Sequence, residues 1–512
     1  MKTRFLGQAY QSRSPILASQ TAINIYPESS EDNSDQVGAF YGTPGLQAFF
    51  TGTGSVRGMR IAGGALYAVI GNALYRVSGA NSGANLGAIP GTLPVSMTDN
   101  GSQIAVAHEF GWEWVSFTGT AVAPVTAAPM GSIVTTQDNY VLFTDGGGQF
   151  GITALGDLSS IDALDVATAE GLPDNLVGII SDHREVWLPG VGTIEIWTDT
   201  GAAFFPFERA PGGFIEQGCA AGLSLAKLDN SVFWLGADSN GQGIVYRANA
   251  YIPERISTHA IEHAINTYSD ISDAIGFAYQ EEGHLFYWLT FPSANNGVGA
   301  SWVFDVATKA WHQRAWLEPS TGLLHRHRAN CYAFFQGKHL VGDFGNGIIY
   351  EMSLDIGTDN GSPIYRERAW DIADDESKKG RGDMLELVAV TGDGDTRDVS
   401  STSAGTPSGF WADGFWNPGF WETGFWDGFI GTTTAVTEIP IAPIVWLQIS
   451  RDGGRKWGYR RQISLGALGQ TLARARWRRL GTWRDGVFRV GTTMKSRVQW
   501  IGANLKGEGY DS

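Results

Sequence analysis

His259-Ala260-Ile261-Glu262-His263 fits the H-x-x-E-H pattern, in which two imidazoles four residues apart on a helix hold zinc beside a catalytic carboxylate. The helical stretch is short, however, and no downstream helical carboxylate offers a further ligand. Ile261 and Ile265 already account for a buried face, so a core-facing helix from Thr258 to Tyr268 is the simpler reading. His325 and His327 alternate on a strand without a visible third ligand. Asp393 to Asp398 is rich in oxygen donors, but it lacks the spacing and terminal Glu of a calcium loop and reads as a solvated turn. Arg381-Gly382-Asp383 reads as chance. No nucleophile elbow, phosphate loop or convergent acid pair appears, so the expectation is a non-enzyme with no catalytic residue, metal or cofactor.

Other residues suit contact. Ser450, Asp452, Gly454 and Trp457 follow S-x-D-x-G-x-x-W, which resembles the Asp box of sialidases, where Asp and Ser brace a hairpin and Trp packs beneath. It occurs once, outside the repeats, so these four residues are expected to form a structural turn. Arg474, Arg476 and Arg478 alternate and should share one strand face, with Trp477 and Arg479 on the other. Together with Arg479 and Arg484 they are expected to make a partner or nucleic-acid contact. Residues 451–512 hold 14 Lys/Arg against four acids, a net of +10, which leaves −26 for residues 1–450. Such asymmetry suggests nucleic acid or an acidic protein face; copies of the chain pairing basic on acidic surfaces would explain it as well.

The oddest segment repeats Gly-Phe-Trp with a period of five, matching neither strand nor helix. Its rings are Phe410, Trp411, Phe415, Trp416, Phe420, Trp421, Phe425 and Trp426, with Phe429 closing the series. That much apolar surface is not left in water. It packs on its own domain, on a neighbouring subunit or partner protein, or on a membrane or host surface, and the sequence leaves the three open. Asp413, Glu422 and Asp427 stand among the rings without any Lys or Arg, which argues against a single-strand nucleic-acid platform.

The elements that carry these residues are strands. A two-strand phrase recurs seven times, with centres at Leu66, Ile104, Val141, Val186, Phe233, Phe286 and Phe334, roughly 45 residues apart. That period predicts an all-β chain built on a propeller of about seven blades, or six if the Val141 copy is incomplete. High Gly (68 residues) and low charge (17%) agree with many short strands joined by tight turns. Residues 1–50 read as an arm packing on or closing the propeller, 51–355 as the blades, and 356–512 as a smaller C-terminal β-sandwich-like domain. Asp371 to Asp383 reads as a solvated linker, and the aromatic insertion at 405–432 interrupts the second domain. Cys219 and Cys331 are expected to be free thiols. Met1 to Leu6 lacks the apolar core of a signal peptide, and no run of 18 apolar residues suggests a span.

Ile23-Asn24-Ile25-Tyr26-Pro27, Gly42-Thr43-Pro44-Gly45-Leu46, Thr193 to Trp197 and Gly347 to Tyr350 lie in an order that resembles one family. Ser450-Arg451-Asp452-Gly453 followed by Trp477-Arg478-Arg479-Leu480-Gly481 adds the strongest likeness. The family is the packaged-DNA stabilisation proteins of short-tailed bacteriophages, also called tail hub or nozzle proteins. The resemblance implies a homo-hexameric ring below the portal and its head-to-tail adaptor, continuing the DNA channel and retaining the genome. It implies a tail needle or plug and tailspikes or fibres as further partners, double-stranded DNA passing without sequence specificity, and assembly into the virion tail in the host cytoplasm. The aromatic insertion has no counterpart in that resemblance. The competing reading is a glycan-binding propeller or a sialidase-like glycan-processing enzyme.

Overall fold

The computed structural model of the protein describes residues 5–14, 18–29, 38–169, 171, 174–202, 205–237, 240–372, 379–391, 395–403 and 433–510. The aromatic insertion at 405–432, Asp393 and Gly394 lie outside the described residues; Asp395–Asp398, read above as part of a solvated turn, instead begins the strand Asp395–Ser403, which pairs antiparallel with Thr433–Ile441. Among those described, no helix is long and apolar enough to cross a membrane.

Continuous apolar runs at the centre of each repeat mark strands covered on both faces. In Ser231–Ala237, Phe233 and Leu235 join one apolar cluster while Trp234 between them joins another. In Tyr140–Thr144, Leu142 likewise parts from Val141 and Phe143. Period-two alternation thus feeds two neighbouring sheets at once. Seven four-stranded antiparallel blades result, with first strands Val56–Ala62, Ser96–Asp99, Val134–Gln137, Ile180–Asp182, Ala226–Leu228, Ile275–Glu281 and Ala329–Phe335; the first five are separate sheets, the sixth continues into a larger sheet, and the seventh is extended by the short strands Thr358–Asp359 and Ser362–Pro363. The Val141 copy is a complete blade, so the count is seven. The last copy is displaced by one strand: Phe334 lies on the first strand of its blade and is exposed, and the covered second strand is Lys338–Asp343, with Leu340 and Val341.

A separate apolar cluster fills each junction between successive blades, including that between the seventh and the first. The seven-residue helix His259–Ile265 fills part of one, burying Ile261 and Ile265. Thr258 caps it, its Oγ1 accepting from the Ile261 N–H at 3.4 Å. The seventh blade takes its fourth strand from the start of the chain: Gly45–Thr51 pairs antiparallel with Ile348–Ser353. A register shift between Ile349 and Tyr350 lets adjacent Phe49 and Phe50 both turn inward.

The second unit is a sandwich. One sheet orders Ser19–Ile23, Arg366–Asp371, Val487–Thr492, Ile444–Ser450 and Arg461–Ser464, and it joins the sixth blade's Ala310–Leu317 edge. The other orders Ile25–Ser29, Gly38–Gly42, Gln499–Tyr510, Lys379–Ala389 and Ala475–Trp483. Trp370, Leu385, Trp477, Trp483, Phe488 and Trp500 form the core between them. Two corrections follow. Ser19–Ile23, Ile25–Ser29 and Gly38–Gly42, grouped above with the propeller, run within the two sandwich sheets, and only Gly45–Thr51 completes a blade. Lys379 to Asp383, read as linker, is strand: Gly380 and Gly382 lie against the Trp483 indole, so closely that an added Cβ would come within 2.8 Å and 2.4 Å of it.

A buried carboxyl near the seam between the units gives a first expected result. Asp359 sits beside Leu46 with one oxygen unpaired. Burial pushes its acid up to about 7, with Arg366 and Arg314 pulling it only part of the way down. An unfolded Asp ionises near 4. Between those values the unfolded chain releases a proton that the folded chain keeps, so this group's contribution falls as pH rises from about 4 to 7. Asp359→Asn removes that loss. Urea midpoints should show the variant gaining on the parent by a few kcal/mol at pH 8 compared with pH 5; the same difference at both pH values would refute the assignment.

Candidate partner and nucleic-acid interface

Ala475–Trp483 is the edge strand of its sheet, pairing along its length with Lys379–Ala389. Ala475 and Trp477 point into the core, and the Trp477 Nε1–H donates to the Arg461 carbonyl at 2.8 Å. Period two then places Arg474, Arg476 and Arg478 together on the outer side. Glu386, on the adjacent strand, lies 3.2 Å from both Arg474 and Arg476. Burial alone would push its carboxyl up, but hydrogen bonds and charge from the two arginines outweigh that and hold it below the usual carboxylate range.

Arg478, Arg479 and Arg484 are exposed and have no carboxylate partner among the described residues. Arg479 does not share the inner face with Trp477. Its φ is +57°, beside a register shift between Gly382 and Met384 of the paired strand, and the irregularity turns its side chain outward. Two-residue alternation could not foresee this, because the extra residue breaks the period that the reading uses.

The Ser450–Trp457 hairpin is internally braced. Ser450 Oγ–H donates to Asp452 Oδ1 at 2.8 Å and accepts from the Gly454 N–H at 2.9 Å. Asp452 Oδ1 also accepts from the Lys456 N–H at 2.9 Å. That bond, then the one from Ser450, holds the carboxyl below its usual range. The Arg489 guanidinium lies 3.9 Å over the Trp457 ring. Sequence reasoning counted Arg451, Lys456 and Arg461 only as charge, yet the fold sets them beside Arg479. Their closeness to the turn was the available signal.

The propeller's axis holds a cavity of about 510 Å³ lined by all seven first strands, with Arg60 paired to Asp99 at 2.9 Å in its wall. That is the size of a small-molecule pocket, far too small for a duplex to thread. Elsewhere, Glu262 is engaged by Arg255 at Nε (2.6 Å) and by the Ser257 hydroxyl (2.7 Å), while His259 stands exposed beside it. His327 is buried against Trp288, and its Nδ1 accepts from the Ala329 N–H. Among the described residues no group of three His, Cys, Asp or Glu could hold a metal ion. Both cysteines are free thiols.

The chain is thus a closed β-propeller joined to a β-sandwich that carries a cationic edge strand. The chain belongs to the bacteriophage P22 Gp10 family of packaged-DNA stabilisation proteins: the model of the Gp10 β-propeller matches residues 5–357, and that of the Gp10 β-sandwich matches residues 429–508. It is accordingly a structural tail protein of the virion. No curated protein matches it in sequence. Among solved structures, the computationally designed Ika8 protein is similar at 9% identity and TM-score 0.37, over 60% of this chain and 100% of its own. The extracellular domain of a putative one-component system from B. thetaiotaomicron is 10% identical at TM-score 0.41, over 61% of this chain and 40% of its own. PorZ, a type-IX secretion component of Porphyromonas gingivalis, is 12% identical at TM-score 0.34, over 67% and 45%.

Proposed function

We propose that six copies of the chain form a ring below the portal and its adaptor, continue the DNA channel, retain the packaged genome and anchor needle or fibre proteins. The observation that carries this reading is the division of charge within a chain matched to the family in both units: +10 in residues 451–512 and −26 before them. A ring of such chains can set each basic edge against an acidic neighbour or on the channel rim. Because the axial cavity is too small for a duplex, this reading puts the DNA between subunits, beside the propellers. Acidic propeller surfaces around that passage would not trap phosphates by counterion release, so the genome stays free to slide. The aromatic insertion is assigned to a contact with an adjacent subunit or the plug. The test is native mass measurement of the protein alone and with its adaptor: six copies are expected with the adaptor, and a persistent monomer in both refutes the ring.

The arginine edge supplies a second expected result. With Arg474, Arg476 and Arg478 all changed to Ser, the monomer should melt near the parent, because exposed ion pairs contribute at most about 1 kcal/mol each. Assembly should weaken and become less sensitive to salt than in the parent, since the missing contacts are the ones that salt screens. Particles that form and retain DNA normally with this variant would remove the edge from the interface.

A further inference from the structure

Beside the braced hairpin lies a cleft of about 370 Å³, whose walls include Arg451, Asp452, Lys456, Tyr459, Arg461 and Arg479. Four cations converge there. The only carboxylate in the wall, Asp452, already accepts from Ser450 and from the Lys456 backbone. None of the four basic side chains has a carboxylate partner among the described residues. Gathering like charges is unfavourable without an anion between them.

Several features hold this arrangement in place. The Arg461 guanidinium donates to the Arg478 carbonyl, fixing one side. Arg479 has left-handed backbone, a conformation unfavourable for residues other than glycine and met at functional sites, and its exposed side chain lines the cleft rather than the core. Gly481, at φ +87°, leaves room for Arg451: an added Cβ would come within 2.7 Å of the Arg451 Nη2. Trp457 forms part of the wall and is held by the Arg489 stack. Tyr459 stands at the rim, 80% exposed, with its hydroxyl free to reach a ligand.

We propose that this cleft binds a phosphate group, that of a nucleic-acid backbone. A carboxylate presents two oxygens in one plane and suits a single guanidinium fork. Three guanidinium groups and one ammonium lining a single cleft instead match a tetrahedral anion with oxygens on several sides. No element of the cleft is shaped to read a base, so the contact is indifferent to sequence. This inference rests on the reading of the protein as one that retains DNA, and it locates a grip on the backbone at Arg451, Lys456, Arg461 and Arg479 rather than along the arginine edge as a whole.

The test uses the full chain and a short mixed-sequence duplex, titrated at several salt concentrations, with the oligomeric state measured in parallel. Arg451→Ser with Arg479→Ser should weaken binding at least tenfold and make the salt dependence shallower by about one to two units of slope. Arg451→Lys with Arg479→Lys, which keeps the charge, should retain most of that slope. Inorganic phosphate should displace the duplex better than chloride at equal ionic strength. Equal affinity and slope in the parent and the Ser variant overturn the site, and tighter binding of polyglutamate than of duplex overturns the phosphate assignment in favour of an acidic protein. If the parent chain binds duplex through these residues yet never forms a ring, the ring reading fails while the cleft stands. A ring that forms without any duplex binding gives the reverse.

Discussion

Replacing Arg368 with alanine should remove roughly 3–5 kcal/mol of folding stability, the range for breaking a buried charged network on one side. Arg368 is fully buried, and burial pushes its pKa down to about 9. Its guanidinium donates to the carbonyls of Phe5 at 2.7 Å and Thr21 at 3.0 Å and to the Gln20 side chain at 2.9 Å, and it lies 5.0 Å over the Phe40 ring. One side chain on a sandwich strand thus holds the opening residues of the chain in place. Without it the acceptors stay buried and unpaired, each at a cost of about 1–3 kcal/mol. Equilibrium urea unfolding should show the loss, and limited proteolysis should cut first before residue 24. A loss below about 1 kcal/mol with the first 25 residues still protected would mean that other contacts hold the arm.

The second large effect concerns the strand that completes the seventh blade. Phe49 and Phe50 are buried with Val56, Leu66, Ile70, Leu340 and Ile349 in the cluster joining the seventh blade to the first. A single Phe→Ala change in a core costs about 3–5 kcal/mol. Changing both, even with the non-additivity expected of neighbours, should remove at least about 5 kcal/mol. Since whole domains are stable by about 5–15 kcal/mol, the ring of blades should open and expose the Ile348–Ser353 edge to aggregation. Gln47→Ser on the same strand faces solvent and should be nearly silent. Soluble yield and calorimetric melting of the two proteins decide the point; a double variant that melts like the Gln47→Ser control would show that blade closure does not depend on this cluster.

The blades were legible because each second strand is covered on both faces, which forces runs such as Phe233-Trp234-Leu235 that stand out in any reading. The sandwich was harder. Lys379-Gly380-Arg381-Gly382-Asp383 alternates as a strand should, but its inward positions are glycines whose apolar partner, Trp483, lies about a hundred residues further on. Charge without visible hydrophobicity then looked like linker. Asn24 shows a second kind of concealment: its side chain donates to the Ala315 and Tyr365 carbonyls and accepts from the Ala315 N–H, joining three distant segments through contacts that no local pattern encodes. At the candidate site, the outward face of Arg474, Arg476 and Arg478 followed from alternation alone. The cleft did not, because it depends on an irregularity at Arg479 and on Gly481 making room for Arg451.

The placement of residues 19–51 also sets a timetable. They leave the ribosome well before their partners, for every sheet they enter is finished by residues beyond 309. At about 5–20 residues per second, Phe50 waits roughly 15–60 s for Ile349 to be made. Over that interval six blades can form while these strands stay unpaired, and the sandwich cannot settle until Gln499–Tyr510 emerges. Closure is therefore reserved for the completed chain: a polypeptide cut short in synthesis lacks the strands that dock its own beginning, so truncated copies are left open and are not passed on as apparently finished parts.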